Sequence, residues 1–301
     1  MMYKFTGAGN DFVVMDGRKG GMDGYRRPER IGQLCREHKT DGLMILGTAP
    51  DVDFSMEFYN PDGSGGMMCG NGGRCIVAFA NYLGICPAHG TVYRFLAPDG
   101  LHTAEILEGP EREGISQPSL RDPSHLRWAS PFYAAEGGHR LGNTLPLWTV
   151  RLKMIDVQGI TPIKDGCFLN TGTRHFVQFK EQVQGIDMDA AAKPLRWDAA
   201  FQPEGTNVNF VESAPDGLHV RTYEKGVEGE TLACGTGLTA SAIAAWQEGI
   251  PGEAIGQGSV RYRLQCRRGD WLQVEFTPED GRFKDVYLTG PAEMLYAFPK
   301  K

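Results

Sequence analysis

The chain has 301 residues, which is long for one compact domain and suits two domains of roughly 150 residues each. It carries 31 Lys and Arg against 37 Asp and Glu, a formal net charge of −6 without a basic block, so nucleic-acid binding is not expected. The hydrophobic fraction of 41% is sufficient for a core. Neither a signal-peptide pattern nor a membrane-length apolar run occurs, so we expect a cytoplasmic protein without a membrane partner.

The first half of the chain is predicted to alternate short strands with helices. Pro28–His38 is predicted to be a helix, because a proline suits a first helical turn and apolar residues follow at helical spacing. Alternating apolar and polar residues predict a half-buried strand at Phe54–Tyr59. A helix near 70–83 follows a glycine-rich loop. The same alternation then predicts strands at Thr91–Leu96 and Leu101–Leu107.

The second half repeats this mixture after an irregular stretch. Residues 108–146 are rich in Pro, Gly, Arg and Ser and are predicted to contain an interdomain linker. Strands are predicted at Trp148–Ile155, Leu218–Tyr223 and Leu272–Phe276. A helix near 235–248 follows a second glycine-rich loop, and its residues are so uniformly small and apolar that we expect it to be buried.

Two segments of the chain resemble each other. One reads CGNGGRCIVAFANY from Cys69 and the other CGTGLTASAIAAWQ from Cys234, 165 positions later (234 − 69). The sequence GAGNDFV from Gly7 matches GTRHFV from Gly172 at the same offset. Matches in the same order at a constant offset indicate an internal duplication. Since only two copies occur, they predict a pseudo-twofold pair of similar domains.

The repeated cysteines are predicted to stand directly before helix N-termini. The unpaired N–H groups and the helix dipole favour anions there, so the pKa of each thiol is expected to lie below its free value near 8.5. The glycines that follow leave backbone amides exposed to a bound carboxylate. If the two halves face each other, Cys69 and Cys234 lie on opposite sides of that carboxylate.

This arrangement suits inversion at the α-carbon of an amino acid. One thiolate removes the α-proton from one face, and the other thiol delivers a proton to the opposite face. The helix N-termini offset the charge that develops on the carboxylate. No cofactor is needed for this chemistry.

Most other features of the sequence indicate neither a metal site, a nucleotide site nor a catalytic residue. Seven cysteines without a CxxC pair indicate neither a disulfide framework nor a structural zinc site, and no other metal-ligand spacing occurs. Dinucleotide and P-loop motifs are also missing from the sequence. Among the seven histidines only His175 copies a repeated motif. Five cysteines are interpreted as packing residues: Cys35, Cys75, Cys86, Cys167 and Cys266.

At the repeated motifs the sequence resembles the diaminopimelate epimerase family, whose members are cofactor-independent enzymes with two catalytic cysteines. The glycine-rich opening, a following loop, the two cysteine motifs and a segment of the second half all match. The matching segments are Gly7–Val13, Thr40–Leu43, Asn60–Ser64 with Cys69–Arg74, Asn207–Phe210, and Tyr223–Gly226 with Glu230–Gly237.

The resemblance implies an α+β fold of two similar, pseudo-twofold-related domains, each a curved and mostly antiparallel sheet around a central helix. We place the domains at 1–118 and 119–289, with a last strand at about 290–301 returning to the first domain and the active site in the cleft between them. A homodimer is a further family expectation. The implied reaction converts LL-diaminopimelate to meso-diaminopimelate, a step in lysine and peptidoglycan-precursor biosynthesis.

The resemblance also implies roles for individual residues. Cys69 and Cys234 would be the acid–base pair, and His175 and Glu224 would assist thiol deprotonation or hold the reacting amino group. The remaining expected contacts to the amino-acid substrate come from backbone amides after each cysteine and from nearby side chains. These substrate-binding residues are Asn10, Asn60, Gly70, Asn71, Thr173, Asn207, Glu224, Lys225, Gly235 and Thr236. No metal is expected.

Three departures from the family pattern concern the distal end of the substrate. The usual Gly-Asn-Pro-His is Gly-Thr-Arg-His here, so Thr173 replaces an asparagine, and Lys225 replaces an arginine that grips the distal carboxylate. Lysine cannot form the same bidentate fork. The stretch 227–230 also looks one residue longer. We hypothesise that Arg174 or Lys225 supplies the distal charge. A racemase of another amino acid and a non-catalytic amino-acid-binding relative are the alternatives.

Overall fold

The computed structural model describes residues 1–66, 68–110 and 146–298. These residues divide into two compact units. The first unit comprises 1–110, 146–152 and 290–298, and the second comprises Lys153–Thr289. The boundary that we place between 118 and 119, and most of the predicted linker, lie outside the described residues.

The first unit is a sheet with two helices. Its elements are β1 (Met2–Thr6), β2 (Asp11–Asp16), α1 (Pro28–His38), β3 (Gly42–Gly47), β4 (Phe54–Tyr59), α2 (Gly70–Tyr82), β5 (Val92–Ala97), β6 (Gly100–Glu108) and β7 (Leu147–Lys153). The pairs β1–β2, β3–β4, β5–β6 and β6–β7 are antiparallel, whereas β2–β3 and β4–β5, which flank the helices, are parallel.

The second unit repeats this plan with additions. Its elements are β8 (Thr161–Ile163), β9 (Gly166–Asn170), β10 (Arg174–Phe179), α3 (Met188–Arg196), β11 (Asn207–Ala214), β12 (Gly217–Glu224), β13 (Gly229–Thr231), α4 (Gly235–Gln247), β14 (Glu253–Gly256), β15 (Ser259–Gln265), β16 (Trp271–Glu279) and β17 (Arg282–Ala297). Strand β17 runs from the second unit into the first: it pairs with β16 as far as Thr289, and its residues from Gly290 belong to the first unit, where they pair with β7 and β1.

The duplication predicted from the sequence is confirmed in the strand pairings. The series β1-β2-α1-β3-β4-α2-β5-β6 recurs as β9-β10-α3-β11-β12-α4-β15-β16. In the second unit β9–β10, β11–β12 and β15–β16 are antiparallel, while β10–β11 and β12–β15 are parallel. The α+β class, with a mostly antiparallel sheet packed on a helix in each unit, is therefore confirmed.

The helix that follows each cysteine forms the centre of its unit. Helix α2 is buried from Gly70 to Asn81, and the ring of its Phe79 lies 5.1 Å from Tyr3 and 5.6 Å from Phe5 between ring centroids. Helix α4 packs against strands of its own unit, and its small side chains allow those strands to approach closely. The prediction that the small apolar residues of α4 are buried is correct from Leu238 to Ala245, whereas Trp246 is 42% exposed.

Most predicted elements agree with the structure, but one helix is missed. Helix α3 is absent from the sequence prediction, because it has only nine residues and contains Pro194, which ordinarily breaks a helical pattern. The predicted strand Trp148–Ile155 ends earlier, at Lys153. Among the described residues, no helix has both the length and the hydrophobicity needed to cross a membrane.

A buried arginine on β12 forms hydrogen bonds with the segment before α3. Arg221 is 5% exposed, and its guanidinium forms two hydrogen bonds of 2.6 and 2.7 Å to the carboxylate of Glu230. Its Nη1 donates to the backbone carbonyls of Val183, Gln184 and Ile186. Removal of this side chain leaves buried acceptors without donors, which is costly.

Replacing Arg221 is therefore expected to destabilise the fold. Arg221→Met should lower the free energy of unfolding by about 3–5 kcal/mol, because Glu230 loses its bidentate partner and the carbonyls of Gln184 and Ile186 lose a donor. Arg267→Met is the matched control, since this more exposed guanidinium lies 3.6 Å from the same carboxylate. The control should cost less than about 1 kcal/mol. Urea denaturation measures both, and equal losses would contradict this account.

Candidate active site

Cys69 caps the N-terminus of helix α2. Its backbone is extended, with φ −105° and ψ 153°, and the backbone N–H of Gly72 donates to its Sγ at 3.2 Å. The side chain thus closes the first turn of the helix as an N-cap. The predicted placement of this cysteine directly before a helix is confirmed.

A fully buried arginine orders the polar groups around this helix start. Nη2 of Arg74 donates to Asn71 Oδ1 at 2.8 Å and to the carbonyl of Gly7 at 3.2 Å. Because Asn71 Oδ1 accepts from the arginine, its Nδ2 is the atom that faces Asn10 Oδ1, at 2.7 Å. Asn10 and Asn71, both predicted as site residues, are therefore neighbours held by Arg74. Sequence analysis missed Arg74, although an arginine inside an otherwise apolar helix is a signal for a buried role.

Asn60 lies in the loop after β4. Its Nδ2 donates to Ser64 Oγ at 3.0 Å, and its backbone N–H donates to the carbonyl of Ser64 at 2.9 Å. Asp62 accepts from the backbone and the hydroxyl of the same serine. These contacts of Asn60 shape its own loop, and its predicted role in substrate binding stays a prediction.

Cys234 stands at the corresponding position before helix α4, also with an extended backbone. Its Sγ lies 3.4 Å from Thr236 Oγ1. The expected fall in the pKa of this thiol is wrong. Burial raises its pKa well above the usual value, and the charge of Glu224 adds to the increase, while the Thr236 hydroxyl and the Gly237 amide act against it. Desolvation therefore outweighs the helix N-terminus.

Glu224 ends strand β12 and lies beside this thiol. It accepts a hydrogen bond of 2.5 Å from the hydroxyl of Thr231 and also interacts with Cys234. A carboxylate next to a thiol of high pKa is placed to accept the thiol proton. The geometry is thus consistent with the predicted role of Glu224.

His175 is fully buried on β10. Its Nε2 lies 2.9 Å from Thr173 Oγ1 and 3.0 Å from Thr236 Oγ1, and its Nδ1 lies 3.0 Å from Asn209 Nδ2. Burial lowers the pKa of the imidazole to about 3, so the ring is neutral near pH 7. These contacts link His175 to Cys234 through Thr236. Asn209 was not singled out in the sequence.

Asn207 organises the residues predicted to meet the distal end of the substrate. Its Nδ2 donates to the carbonyl of Arg174 at 3.0 Å and to Thr173 Oγ1 at 3.3 Å, while its Oδ1 accepts from the backbone N–H of Lys225 at 2.8 Å. The residues that depart from the family pattern at 173, 174 and 225 are therefore gathered around one asparagine.

Glu204 joins the two cationic side chains of this cluster. Arg174 Nη1 lies 2.5 Å from its carboxylate, and Lys225 Nζ donates to its backbone carbonyl. The Arg174 guanidinium also lies over the ring of Phe168, 5.0 Å from the centroid. Since Glu204 is separated from both cations in the sequence, no sequence pattern identifies it as their partner. The stretch with the extra residue is held through Glu228, which accepts from Arg196 at 2.8 Å.

The other cysteines are packing residues with one exception. Cys35, Cys75, Cys167 and Cys266 are buried, as expected. The interpretation of Cys86 is wrong, since this residue is exposed in the loop after α2. Within the described ranges, no three His, Cys, Asp or Glu side chains are close enough together to hold a metal ion.

The buried imidazole predicts how stability depends on pH. Between pH 6.5 and about 3 the unfolded chain binds a proton at His175 and the folded chain does not, so stability is lost as the pH falls. Relative to His175→Gln, the wild-type free energy of unfolding should fall by about 2 kcal/mol between pH 7 and pH 5. The exposed His89→Gln variant is the control. Parallel pH profiles for the wild type and His175→Gln in urea denaturation would contradict a neutral, buried His175.

Comparison with known proteins points to one family. A sequence model of the diaminopimelate epimerase family matches residues 2–103 and 167–295. The diaminopimelate epimerase of Flavobacterium psychrophilum is 33% identical over 299 residues, covering 98% of each sequence. That of Chlorobaculum tepidum is 34% identical over 295 residues, covering 97% of each.

Solved structures share the fold at low sequence identity. A Bacillus anthracis phenazine biosynthesis protein of the PhzF family has a TM-score of 0.63 at 10% identity and covers 98% of this chain and 96% of its own. A probable proline racemase from Agrobacterium radiobacter has a TM-score of 0.56 at 15% identity, covering 100% of this chain and 92% of its own. By its sequence matches over most of its length, the chain belongs to the diaminopimelate epimerase family.

Proposed function

We propose that this protein epimerises diaminopimelate between its LL and meso forms, using Cys69 and Cys234 as the two acid–base groups and no cofactor. The observation that carries the proposal is the duplicated cysteine, which occupies the same position before the central helix of each unit. The substrate is inferred from the family to which the chain belongs.

The reaction needs only proton transfer. One thiolate takes the α-proton, and the electron pair of the broken C–H bond moves into the neighbouring carboxylate. The thiol of the other cysteine then gives its proton to the opposite face, and the pair returns to carbon. We assign the amides of Gly70, Asn71, Gly235 and Thr236 to this carboxylate, because N–H groups at helix N-termini stabilise developing negative charge. No net oxidation or reduction occurs.

The surroundings of Cys234 suit a group that alternates between acid and base. Its raised pKa favours the protonated thiol at rest, which is the form that delivers a proton. In the reverse direction, Glu224 accepts the thiol proton and releases the thiolate to act as the base. In the proposed Cys234–Glu224 pair, the carboxylate sets the protonation state of the thiol, as neighbouring groups do at other acid–base sites.

The distal end of the substrate is assigned to Arg174 and Lys225. The side chain of Asn207 forms hydrogen bonds with the backbone of both residues, so the two cationic side chains begin close to each other. The side-chain carboxylate of Glu204 accepts from Arg174, and its backbone carbonyl accepts from Lys225. A distal carboxylate would replace the Glu204 carboxylate on Arg174, and this exchange of one anion for another preserves the charge balance.

A racemase of a basic amino acid is the second candidate. The observation in its favour is Glu204 itself, whose side chain is 61% exposed beside the cluster and carries the charge that a distal ammonium group needs. Assays with diaminopimelate and with a panel of L-amino acids, followed by chiral chromatography, distinguish the two candidates.

Loss of either catalytic thiol should nearly abolish epimerisation. Cys69→Ser and Cys234→Ser are each expected to lower kcat for LL-diaminopimelate by about 100- to 10,000-fold, because a hydroxyl is a much weaker acid than a thiol. Cys86→Ser is the matched control, since its thiol is exposed and outside the site, and it should keep wild-type turnover. Near-native turnover in either of the first two variants would refute the two-thiol assignment.

Loss of the distal cations should weaken binding selectively. Arg174→Ala and Lys225→Ala are each expected to raise KM for diaminopimelate about tenfold or more, because each removes a charge-assisted hydrogen bond to the distal carboxylate. Arg18→Ala, which removes an arginine paired with Asp16, is the control and should leave KM unchanged. Steady-state kinetics measure this. If neither variant changes KM, the distal carboxylate is bound elsewhere or the substrate lacks one.

A further inference from the structure

Three polar atoms in the second unit form a closed triangle next to Cys234. Thr173 Oγ1, Thr236 Oγ1 and His175 Nε2 lie 2.9, 2.9 and 3.0 Å apart. Thr236 Oγ1 also lies 3.4 Å from Cys234 Sγ. The direction of each hydrogen bond follows from the groups behind the triangle.

Asn209 determines which nitrogen of His175 carries the proton. Its Nδ2 donates to the carbonyl of Phe176 at 3.1 Å, and its Oδ1 accepts from the hydroxyl of Thr222 at 2.9 Å. A carbonyl can only accept, so these two contacts fix the orientation of the amide. The Nδ2 therefore also faces His175 Nδ1, which must accept. In a neutral ring the proton then lies on Nε2, facing the two threonine hydroxyls.

The remaining protons follow from counting donors and acceptors. Thr173 Oγ1 receives an N–H from Asn207 Nδ2 and lies beside the protonated Nε2 of His175, so its own proton has one acceptor within the described chain, the oxygen of Thr236. Thr236 Oγ1 can thus accept from Thr173 and from His175, which leaves its own proton available to Cys234 Sγ, 3.4 Å away.

We propose that Asn209 and His175 are positioning residues that direct the Thr236 hydroxyl to donate a hydrogen bond to Cys234 Sγ, with Thr173 as a second donor in the chain. His175 serves here as a fixed neutral donor and exchanges no proton with the thiol. A hydrogen bond from a hydroxyl stabilises a thiolate more than a thiol. As an account of catalysis, the proposal rests on the proposed function, in which Cys234 is an acid–base group.

This donor chain opposes the influences that disfavour the thiolate. Within the described part of the chain, the charge of Glu224 on β12 and burial disfavour the thiolate, while the amide of Gly237 acts in the same direction as the donor chain. His175 on β10 is neutral and reaches Cys234 through Thr236. Without a donor, a buried thiol beside a carboxylate would be a poor acid. Gly237 leaves the space that Asn209 occupies, because a Cβ at this position would lie 2.5 Å from Asn209 Oδ1.

The tautomer of His175 can be observed directly. Long-range 1H–15N NMR spectra of the labelled protein report which imidazole nitrogen carries the proton, and His175→Gln assigns the signal. The proposal predicts a non-titrating, neutral ring with the proton on Nε2 from pH 5 to 8. A proton on Nδ1, or a ring that becomes charged in this range, would overturn it.

The effect on the thiol is measured by alkylation of the free protein. The rate of Cys234 modification by iodoacetamide, followed by peptide mass spectrometry across pH, reports the fraction of thiolate. Thr236→Val should move the midpoint upward by about one pH unit, since one donor to the thiolate is lost. Thr236→Ser keeps the hydroxyl and should restore the wild-type midpoint. Thr239→Val is the matched control, because its buried hydroxyl on the same helix donates to the carbonyl of Gly235.

A second variant tests the far end of the chain. Asn209→Leu removes the donor to Nδ1, so the tautomer should no longer be fixed and the Cys234 midpoint should rise. If this buried variant does not fold, the comparison of the alkylation midpoints of Thr236→Val and Thr236→Ser still tests the proposal. An unchanged midpoint in Thr236→Val, or an equal shift in Thr239→Val, would overturn the proposal.

Turnover measurements separate this proposal from the proposed function. If the protein epimerises diaminopimelate, Thr236→Val should lower kcat about tenfold with little change in KM, and Thr236→Ser should recover it. Wild-type kcat in folded Thr236→Val would overturn the catalytic part of the proposal. The NMR and alkylation experiments need no substrate. They therefore test the donor chain even if diaminopimelate proves not to be turned over.

Discussion

The candidate site depends on how the first turn of each central helix is tied to the hairpin loop of its own unit. In the first unit Asn71, two residues after Cys69, bonds to Asn10 in the loop between β1 and β2. In the second unit the backbone carbonyl of Thr236, two residues after Cys234, accepts from the Thr171 hydroxyl, and its side chain contacts Thr173; both threonines lie in the β9–β10 loop. Each tie fixes a helix N-terminus, and with it the direction of the cysteine side chain and of the backbone amides that follow it.

The two copies keep this arrangement but differ in its chemistry. The first unit uses a charged group, the buried guanidinium of Arg74, to orient two asparagine amides. The second unit uses neutral groups, in which Asn209 and His175 stand behind two hydroxyls. Each thiol is faced by a backbone N–H three residues further on, from Gly72 and from Gly237, but Cys234 also lies beside a carboxylate and a hydroxyl. The duplicated scaffold therefore places the two thiols in unlike surroundings.

Local patterns were sufficient to predict much of this architecture. Helix α1, the two helices after the cysteines and the alternating strands follow from residue periodicity, and the constant offset of the motifs revealed the duplication. The sequence did not reveal relations between distant residues. Helix α3 is held by tertiary packing despite Pro194. The roles of Arg74, Asn209 and Glu204 depend on partners that only folding brings near. The pKa of Cys234 was predicted with the wrong sign, because helix position is local whereas desolvation depends on the whole surrounding fold.

The central claim is that two different groups act on opposite faces of one carbon. The most direct measurement follows the first turnovers of LL-diaminopimelate in D2O, with mass spectrometry of the separated stereoisomers. The account predicts that the meso product carries solvent deuterium at the inverted carbon while the remaining LL substrate still carries protium, because the proton removed and the proton delivered reside on different thiols. Equal early labelling of substrate and product would contradict it, since that result indicates a single group serving both faces.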